Sequence, residues 1–127
     1  MQHAEITEQI IGCAYKVFNT LGSGFLESVY EKSLLLELKE TGLSAERQVC
    51  LDVFYRGEPV GHFFADLIVA DTVIVELKAV EEIAKAHEVQ LVNYLTATGK
   101  PIGLLINFGP AGVVVRRKVR SLSEISC

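Results

Sequence analysis

The N-terminal part of the chain carries apolar side chains three and four positions apart, the spacing of amphipathic helices. In a first predicted helix, Ile6 to Leu21, they are Ile6, Ile10, Cys13, Ala14, Val17, Phe18 and Leu21. Gly22-Ser23-Gly24 ends this helix. A second helix is predicted from about Leu26 to Thr41, with Leu26, Tyr30, Leu34 and Leu38 on one stripe. Gly42 follows as the C-terminal stop of this helix.

Further along, apolar and polar residues alternate with the period of two that is typical of β-strands. The predicted elements are strands at about Val49–Arg56, Val60–Val69 and Val73–Ala79, a helix from Glu81 to Thr98, and strands at Ile102–Phe108 and Val113–Val119. The first three strands form an antiparallel meander, and the strand–helix–strand crossover makes part of the sheet parallel. We therefore expect an α/β fold of the α+β type, ordered ααβββαββ around one mixed sheet, in a single domain of residues 1–127.

Composition narrows the functional classes. Half of the residues are apolar and 22% are charged, as in soluble globular domains. No apolar run approaches the roughly 20 residues that cross a bilayer. The N-terminus resembles no secretory signal, so we expect a cytoplasmic location and no membrane partner. The net charge of −4 argues against nucleic-acid binding by a diffuse positive field. Three scattered cysteines indicate reduced thiols rather than structural zinc.

Three charged side chains interrupt the apolar strands of the meander. In the third strand, Glu76 and Lys78 share one face because side chains alternate. A three-residue loop, Ala70–Thr72, places Asp66 of the second strand opposite Glu76. Strict alternation in that second strand puts Asp66 on one face and four apolar residues on the other: Phe63, Ala65, Leu67 and Val69. A slip of one residue would separate Asp66 from Glu76.

Neighbouring carboxylates repel each other, and their burial is costly. A hard divalent cation such as Mg²⁺ or Mn²⁺ compensates and keeps positions open for water and a phosphate. Lys78 could stabilise the negative charge of a phosphoryl transition state or help to deprotonate the attacking water. Two alternatives need no metal: an ordinary ion pair between Glu76 and Lys78, and a structural network of the acids with Lys78 and Arg47.

Polar side chains also lie on the apolar stripe of the third predicted helix: His87, Gln90 and Tyr94. We interpret His87 as a satisfied or surface histidine, and Tyr94 as a core aromatic whose hydroxyl reaches the edge. Gln90 could orient water or a phosphate near the carboxylates.

One basic cluster lies near the end of the chain: Arg116, Arg117 and Lys118, with Arg120. A phosphate-binding strip and a solvated strand edge explain it equally well.

Together these residues resemble the PD-(D/E)XK nuclease superfamily, which has a restriction-endonuclease-like core. Asp66 matches the first acid of its motif, Glu76-Leu77-Lys78 matches (D/E)-X-K, and Gln90 with Tyr94 looks like its Q-x-x-x-Y element. More narrowly, Gly24–Tyr30 reproduces the heptad of the bacterial GxxExxY protein family. Asn107-Phe108-Gly109 is similar to the second half of that family.

The resemblance implies that Asp66, Glu76 and the main-chain carbonyl of Leu77 hold Mg²⁺ or Mn²⁺, with Glu27 as an outer or second-metal ligand. Lys78 would assist the metal-bound water and Gln90 would help to place it. Tyr94 joins the basic cluster as a candidate substrate contact. The implied reaction is hydrolysis of phosphodiester bonds in nucleic acid, with DNA favoured over RNA.

The alternative is a non-catalytic nucleic-acid-binding subunit that keeps the fold and the metal site. In either case, a homodimer or a partner subunit would add substrate-contacting surface.

Overall fold

The computed structural model describes residues 3–120. Its elements are α1 (Ala4–Leu21), α2 (Glu27–Glu40), β1 (Ala45–Tyr55), β2 (Glu58–Val69), β3 (Val73–Lys78), α3 (Lys85–Thr98), β4 (Ile102–Gly109) and β5 (Gly112–Val119). The predicted order and fold class are confirmed. The largest differences are at two starts, since β1 begins at Ala45 rather than Val49 and α3 begins at Lys85 rather than Glu81. The other boundaries agree within one or two residues. Residues 80–84 instead form a bent connection, which side-chain hydrogen bonds hold at Val80 and Ala84.

The five strands form one sheet in sequence order. β1, β2 and β3 are the predicted antiparallel meander, β3 and β4 are parallel, and β5 returns antiparallel to β4. The run of apolar residues in β4 is buried along its whole length, as expected for a strand covered on both faces. β1 and β5 are the two edges of the sheet.

Helices cover both faces of the sheet and so create two apolar clusters. α1 and α2 pack on one face, where the buried strand residues are Leu67, Val69, Val73, Val75, Leu77, Ile102, Leu104, Ile106 and Phe108. α3 packs on the other face, against Phe63, Ala65, Ile68, Ile74 and Leu105. Within residues 3–120 no helix combines the length and apolar character needed to span a membrane.

The cysteines of the described region are free thiols. Cys13 is buried in the cluster beneath α1, where burial raises the pKa of its thiol, and Cys50 is exposed on β1. Cys127 lies outside the described residues.

β2 changes face at Asp66, and the predicted strict alternation is wrong at this point. Phe63 and Ala65 pack toward α3, whereas Leu67 and Val69 pack toward α1 and α2. The cause is a matched irregularity in β1, since Gln48 has a φ of +52° and is not paired with Asp66. Pairing resumes on both sides, so the two strands turn over together without a change of register.

β2 and β3 separate just before the predicted acids. Their Cα partners are Val69–Val73, Ile68–Ile74 and Leu67–Val75, which confirms the predicted loop and register. On the N-terminal side of Leu67, β1 is the one strand among residues 3–120 that pairs with β2, and the two form a two-stranded arm. We call the gap between this arm and β3 the fork.

Candidate active site

Asp66 and Glu76 face each other in the fork. The main-chain N–H of Asp66 donates to Oε2 of Glu76 at 2.9 Å. In return, the main-chain N–H of Leu77 donates to Oδ2 of Asp66 at 2.8 Å. Side-chain carboxylates therefore replace carbonyl groups as acceptors where the β2–β3 ladder opens. This reciprocal arrangement brings together the two acids that the sequence places opposite each other.

Both carboxyl groups are held largely out of water. Glu76 is only 8% exposed, and burial, with the nearby negative charge of Asp66, raises its pKa to about 8. Burial also raises the pKa of Asp66, against the opposing effects of the Leu77 N–H, the Lys78 charge and Gln48. Without a cation, Glu76 is therefore mainly protonated at neutral pH. Two ionised carboxylates at this place require a nearby positive charge.

Lys78 ends β3, next to these acids, and its positive charge acts on both of them. None of the ion pairs formed among residues 3–120 involves Lys78. The simple Glu76–Lys78 ion pair is therefore not formed, and the ammonium group of Lys78 can interact with a substrate instead.

The amide of Asn107 fixes the chain just beyond Lys78. Asn107 is the β4 partner of Lys78 and is 2% exposed. Its Nδ2 donates to the carbonyl of Val80 at 2.8 Å, and its Oδ1 accepts from the N–H of Val80 at 2.9 Å. These two hydrogen bonds, which we call the clamp, fix the main chain at Val80 and so the end of β3 that carries Lys78.

The donor set fits a hard divalent cation. Within residues 3–120 no three His, Cys, Asp or Glu side chains gather as ready-made metal ligands. The fork offers two carboxylates and the predicted Leu77 carbonyl, all oxygen donors. Mg²⁺ is commonly bound through one or two carboxylates, with water and substrate phosphate completing its coordination. Such a cation would stabilise the ionised form of these buried acids, which have no ion-pair partner among the described residues.

The acid of α2 that connects with the fork is Glu31. The proposed ligand Glu27 is exposed in the first turn, and its side chain makes no hydrogen bond or ion pair with any described residue. Glu31 is 5% exposed and accepts from Arg47 Nε and from Gln48 Nε2, each at 2.9 Å. The same Nε2 lies 3.4 Å from Oδ1 of Asp66. A hydrogen-bonded chain thus runs from α2 to the catalytic candidate Asp66.

Sequence reasoning missed Glu31 and Gln48. A signal for Glu31 was present, because it lies three and seven positions before Leu34 and Leu38 on the buried stripe of α2. Gln48 carried none, since its role depends on a positive φ that its residue type does not predict. The structure also contains part of the predicted polar network, in which Glu31 and Gln48 join Arg47 to Asp66 while Lys78 stays outside.

Tyr94 reaches the fork from α3. Its ring stacks on Phe63 with centroids 3.6 Å apart. Burial raises the pKa of its hydroxyl, and the charges of Glu76 and Asp66 raise it further. Gln90, one turn earlier, is exposed, and its side-chain amide makes no hydrogen bond within the described region. His87 accepts a hydrogen bond from the N–H of Ala84 at 3.1 Å, so it is satisfied at the start of α3.

The basic residues of β5 do not form one strip. Lys118 pairs with Glu88 of α3 at 2.5 Å, and Arg116 is exposed on β5. Arg117 donates to Thr7 Oγ1 of α1 at 2.8 Å. Because α1 and α3 cover opposite faces, the cluster is divided between the two sides of the sheet.

The heptad Gly24–Tyr30 is held by its last residue. The hydroxyl of Tyr30 donates to the carbonyl of Gly22 at 2.5 Å and accepts from the N–H of Phe25 at 3.3 Å. Its buried ring stacks on Phe108 with centroids 4.4 Å apart. This loop lines a cleft of about 420 Å³ with Ala79–Glu81, directly after Lys78.

This fork, with its acids on β2 and β3 and its lysine at the end of β3, defines a class of protein. Residues 4–120 match the family model of the PD-(D/E)XK nuclease superfamily, and the chain belongs to that superfamily. Nucleases of this superfamily generally use divalent metal ions and act on nucleic acid. No curated protein gives a significant match.

Solved structures superimpose on the chain at low sequence identity. A crystal structure of SSO0001 superimposes with a TM-score of 0.58 at 20% identity and covers 98% of this chain. The chain spans 63% of that protein. LHK-Exo in complex with dAMP gives a TM-score of 0.50 at 13% identity, covering 94% of this chain and 85% of its own. A second structure, an alkaline exonuclease (LHK-Exo) from Laribacter hongkongensis, gives 0.45 at 12% identity over the same shares.

Proposed function

We propose that the protein is a nuclease that hydrolyses phosphodiester bonds of nucleic acid with Mg²⁺ or Mn²⁺. The observation that carries the proposal is the reciprocal hydrogen bonding of Asp66 and Glu76 in the fork, beside a lysine without an ion pair. A merely structural role for the acids would favour a cationic side chain between them, as Arg47 provides for Glu31.

In this proposal Asp66, Glu76 and the carbonyl of Leu77 hold the metal ion. When bound, the ion supplies charge neutralisation and activates water at neutral pH. The two N–H groups that bind Asp66 and Glu76 fix the carboxylates before substrate arrives. Lys78 stabilises the negative charge at the attacked phosphate or assists the attacking water. Gln90 and Tyr94 border the substrate from α3. Water adds to phosphorus while the bond to the leaving oxygen breaks, which yields a phosphomonoester and a hydroxyl.

Several finer assignments belong to the same proposal. We propose DNA rather than RNA as the substrate, supported by the similar fold of LHK-Exo, which was solved with dAMP. The Gly24–Tyr30 heptad supports membership in the GxxExxY family. We propose Glu27 as an outer metal ligand, and Arg116, Arg117 and Lys118 as substrate contacts. We also propose that the protein is cytoplasmic and acts as a homodimer or with a partner subunit.

A cleavage screen tests the proposal. Single-stranded, duplex and branched DNA and RNA are incubated with Mg²⁺ or Mn²⁺, and the products are resolved on denaturing gels. Glu76→Ala and Lys78→Ala are each expected to abolish cleavage while circular dichroism shows an unchanged fold. Glu82→Ala and Lys85→Ala, at exposed positions, are the matched controls and should keep activity. Cleavage that survives both fork substitutions would refute the proposal.

The alternative function is nucleic-acid binding without hydrolysis, by a subunit that keeps the fold and the metal site. It is favoured because no group of three metal-ligating side chains lies within residues 3–120. It predicts that Mg²⁺ raises the melting temperature while no nucleic acid in the screen is cut. Absence of both effects would instead favour a structural role.

A further inference from the structure

Arg47 is held from one side only. Its Nε donates to Oε1 of Glu31 at 2.9 Å, and this acid is 5% exposed. The side chain of Arg47 remains 39% exposed. Its two terminal nitrogens make no hydrogen bond with any residue among 3–120. A buried carboxylate thus orients the guanidinium and leaves its terminal N–H groups to other ligands.

This guanidinium is tied to the fork by short links. Glu31 binds Arg47 with one oxygen and Gln48 with the other, and Gln48 reaches Asp66. Arg47 and Gln48 are consecutive in β1, at the point where β1 and β2 turn over beside the acids. The charge of Arg47 is therefore fixed next to the metal-binding pair, on the side of the sheet that α2 covers.

We propose that Arg47 binds a phosphate of the nucleic-acid strand next to the attacked phosphodiester. This inference rests on the nuclease function proposed above and adds a substrate-binding residue to it. Two terminal N–H groups of a guanidinium can bind two phosphate oxygens at once, a geometry that an ammonium does not reproduce. Glu31 acts as a positioning residue, because it restricts the rotation of the guanidinium before the phosphate arrives.

The same role is less suited to the basic residues of β5. Lys118 is already paired with Glu88, and Arg117 is bound to Thr7 on the opposite side of the sheet from α3. Arg47 combines exposure, orientation by a buried acid and a hydrogen-bonded link to Asp66. It therefore gives this acidic protein the local positive charge that phosphate binding needs.

Binding without cleavage separates this inference from the nuclease function. Fluorescently labelled single-stranded and duplex DNA and RNA are titrated with protein in Ca²⁺, gels verify that the probe stays intact, and salt is varied. We expect Arg47→Ala to weaken binding about tenfold. It should also reduce the slope of log affinity against log salt by about one, the amount for one phosphate contact. Arg47→Lys should keep the slope and lose part of the affinity.

Two further variants keep the test decisive. Arg47→Ala leaves Glu31 buried without its cation, so Glu31→Gln/Arg47→Gln removes both charges together and should show the same loss of slope at unchanged net charge. Lys39→Ala removes one positive charge at the other end of α2 and should leave the slope unchanged. If Arg47→Ala and Glu31→Gln/Arg47→Gln both bind the probes with the affinity and the salt slope of the wild type, the inference is overturned and the nuclease function still stands. A wild-type protein that binds none of the probes overturns both.

Discussion

The main-chain N–H of Asp66 donates to the carboxylate of Glu76 at 2.9 Å, across a pair of strands that has just separated. A continuous ladder would satisfy this N–H with a main-chain carbonyl. Here a side chain does so, and the Leu77 N–H returns a bond to Asp66 at 2.8 Å. The opening of the sheet and the placement of the two acids are therefore one structural feature. Substitution of either acid should therefore disturb the hydrogen bonds at the fork as well as the chemistry, while the overall fold is kept.

The first prediction concerns the pH dependence of stability. Burial and the charge of Asp66 raise the pKa of Glu76 from 4.5 to about 8. Between these values the metal-free native state binds more protons than the unfolded state, so the free energy of unfolding falls as pH rises. Glu76→Gln removes this titration and keeps an acceptor oxygen for the Asp66 N–H. Its stability relative to the wild type should increase by a few kcal/mol from pH 5 to pH 8.

Urea denaturation at the two pH values, with EDTA present, measures this difference. Glu82→Gln, an exposed substitution of the same chemistry, is the control and should follow the wild type. Parallel stability profiles for Glu76→Gln and the wild type would contradict the assignment of a raised pKa to Glu76.

The second prediction concerns the metal. If the fork binds Mg²⁺ or Mn²⁺, the ion should raise the melting temperature of the wild type and have little effect on Asp66→Asn or Glu76→Gln, because ligands stabilise the state that binds them. Glu31→Gln should reduce the shift more than Glu27→Gln, since only Glu31 is linked to Asp66. Differential scanning fluorimetry over a metal titration gives the comparison. Equal shifts in all four variants would mean that the ion binds elsewhere.

Periodicity predicted the fold because each element follows a simple rule of burial. α1 and α2 have apolar stripes, β4 is apolar throughout, and the Ala70–Thr72 loop fixes the β2–β3 register. The placement of Glu76 and Lys78 on one face of β3 was predicted from the same alternation. The contact of Asp66 with Glu76 depends on that loop, and the structure bears out the register.

What periodicity did not predict lies where the regular pattern breaks. The positive φ of Gln48 reverses which face of the sheet the following residues of β1 and their β2 partners point to. No local sequence rule predicts that a glutamine adopts this conformation. Glu31 becomes part of the site only because this turn brings Arg47 and Gln48 against α2. The basic run of β5 resembles one patch in sequence, yet alternation along the strand and the helices on each face divide it.

The third prediction tests the clamp on the exit of β3. Asn107→Ala removes two hydrogen bonds and leaves the N–H and carbonyl of Val80 without their partner. We expect a loss of about 2–4 kcal/mol in the free energy of unfolding. Cleavage should fall by more than the fraction of unfolded protein explains, because Lys78 is two residues from Val80. The control Asn93→Ala, at an exposed position of α3, should change stability by less than about 0.5 kcal/mol.

The fourth prediction concerns the seating of α3, which carries Gln90 and Tyr94. A Cβ added to Gly103 of β4 would lie 2.8 Å from Cδ1 of the buried Leu91. Gly103→Ala should therefore destabilise the protein by about 1–3 kcal/mol through overpacking. It should also lower cleavage, because Leu91 adjoins Gln90 and the helix must shift to make room.

A matched glycine and a double variant separate overpacking from other effects of an added methyl group. Gly12→Ala, on the exposed side of α1 with no atom within 4 Å of the new Cβ, should stabilise the helix by up to about 1 kcal/mol. In Gly103→Ala/Leu91→Ala the clash is absent, so its loss of stability should be smaller than the sum of the two single losses. Strict additivity in denaturant unfolding would show that α3 does not rest on β4 through this contact.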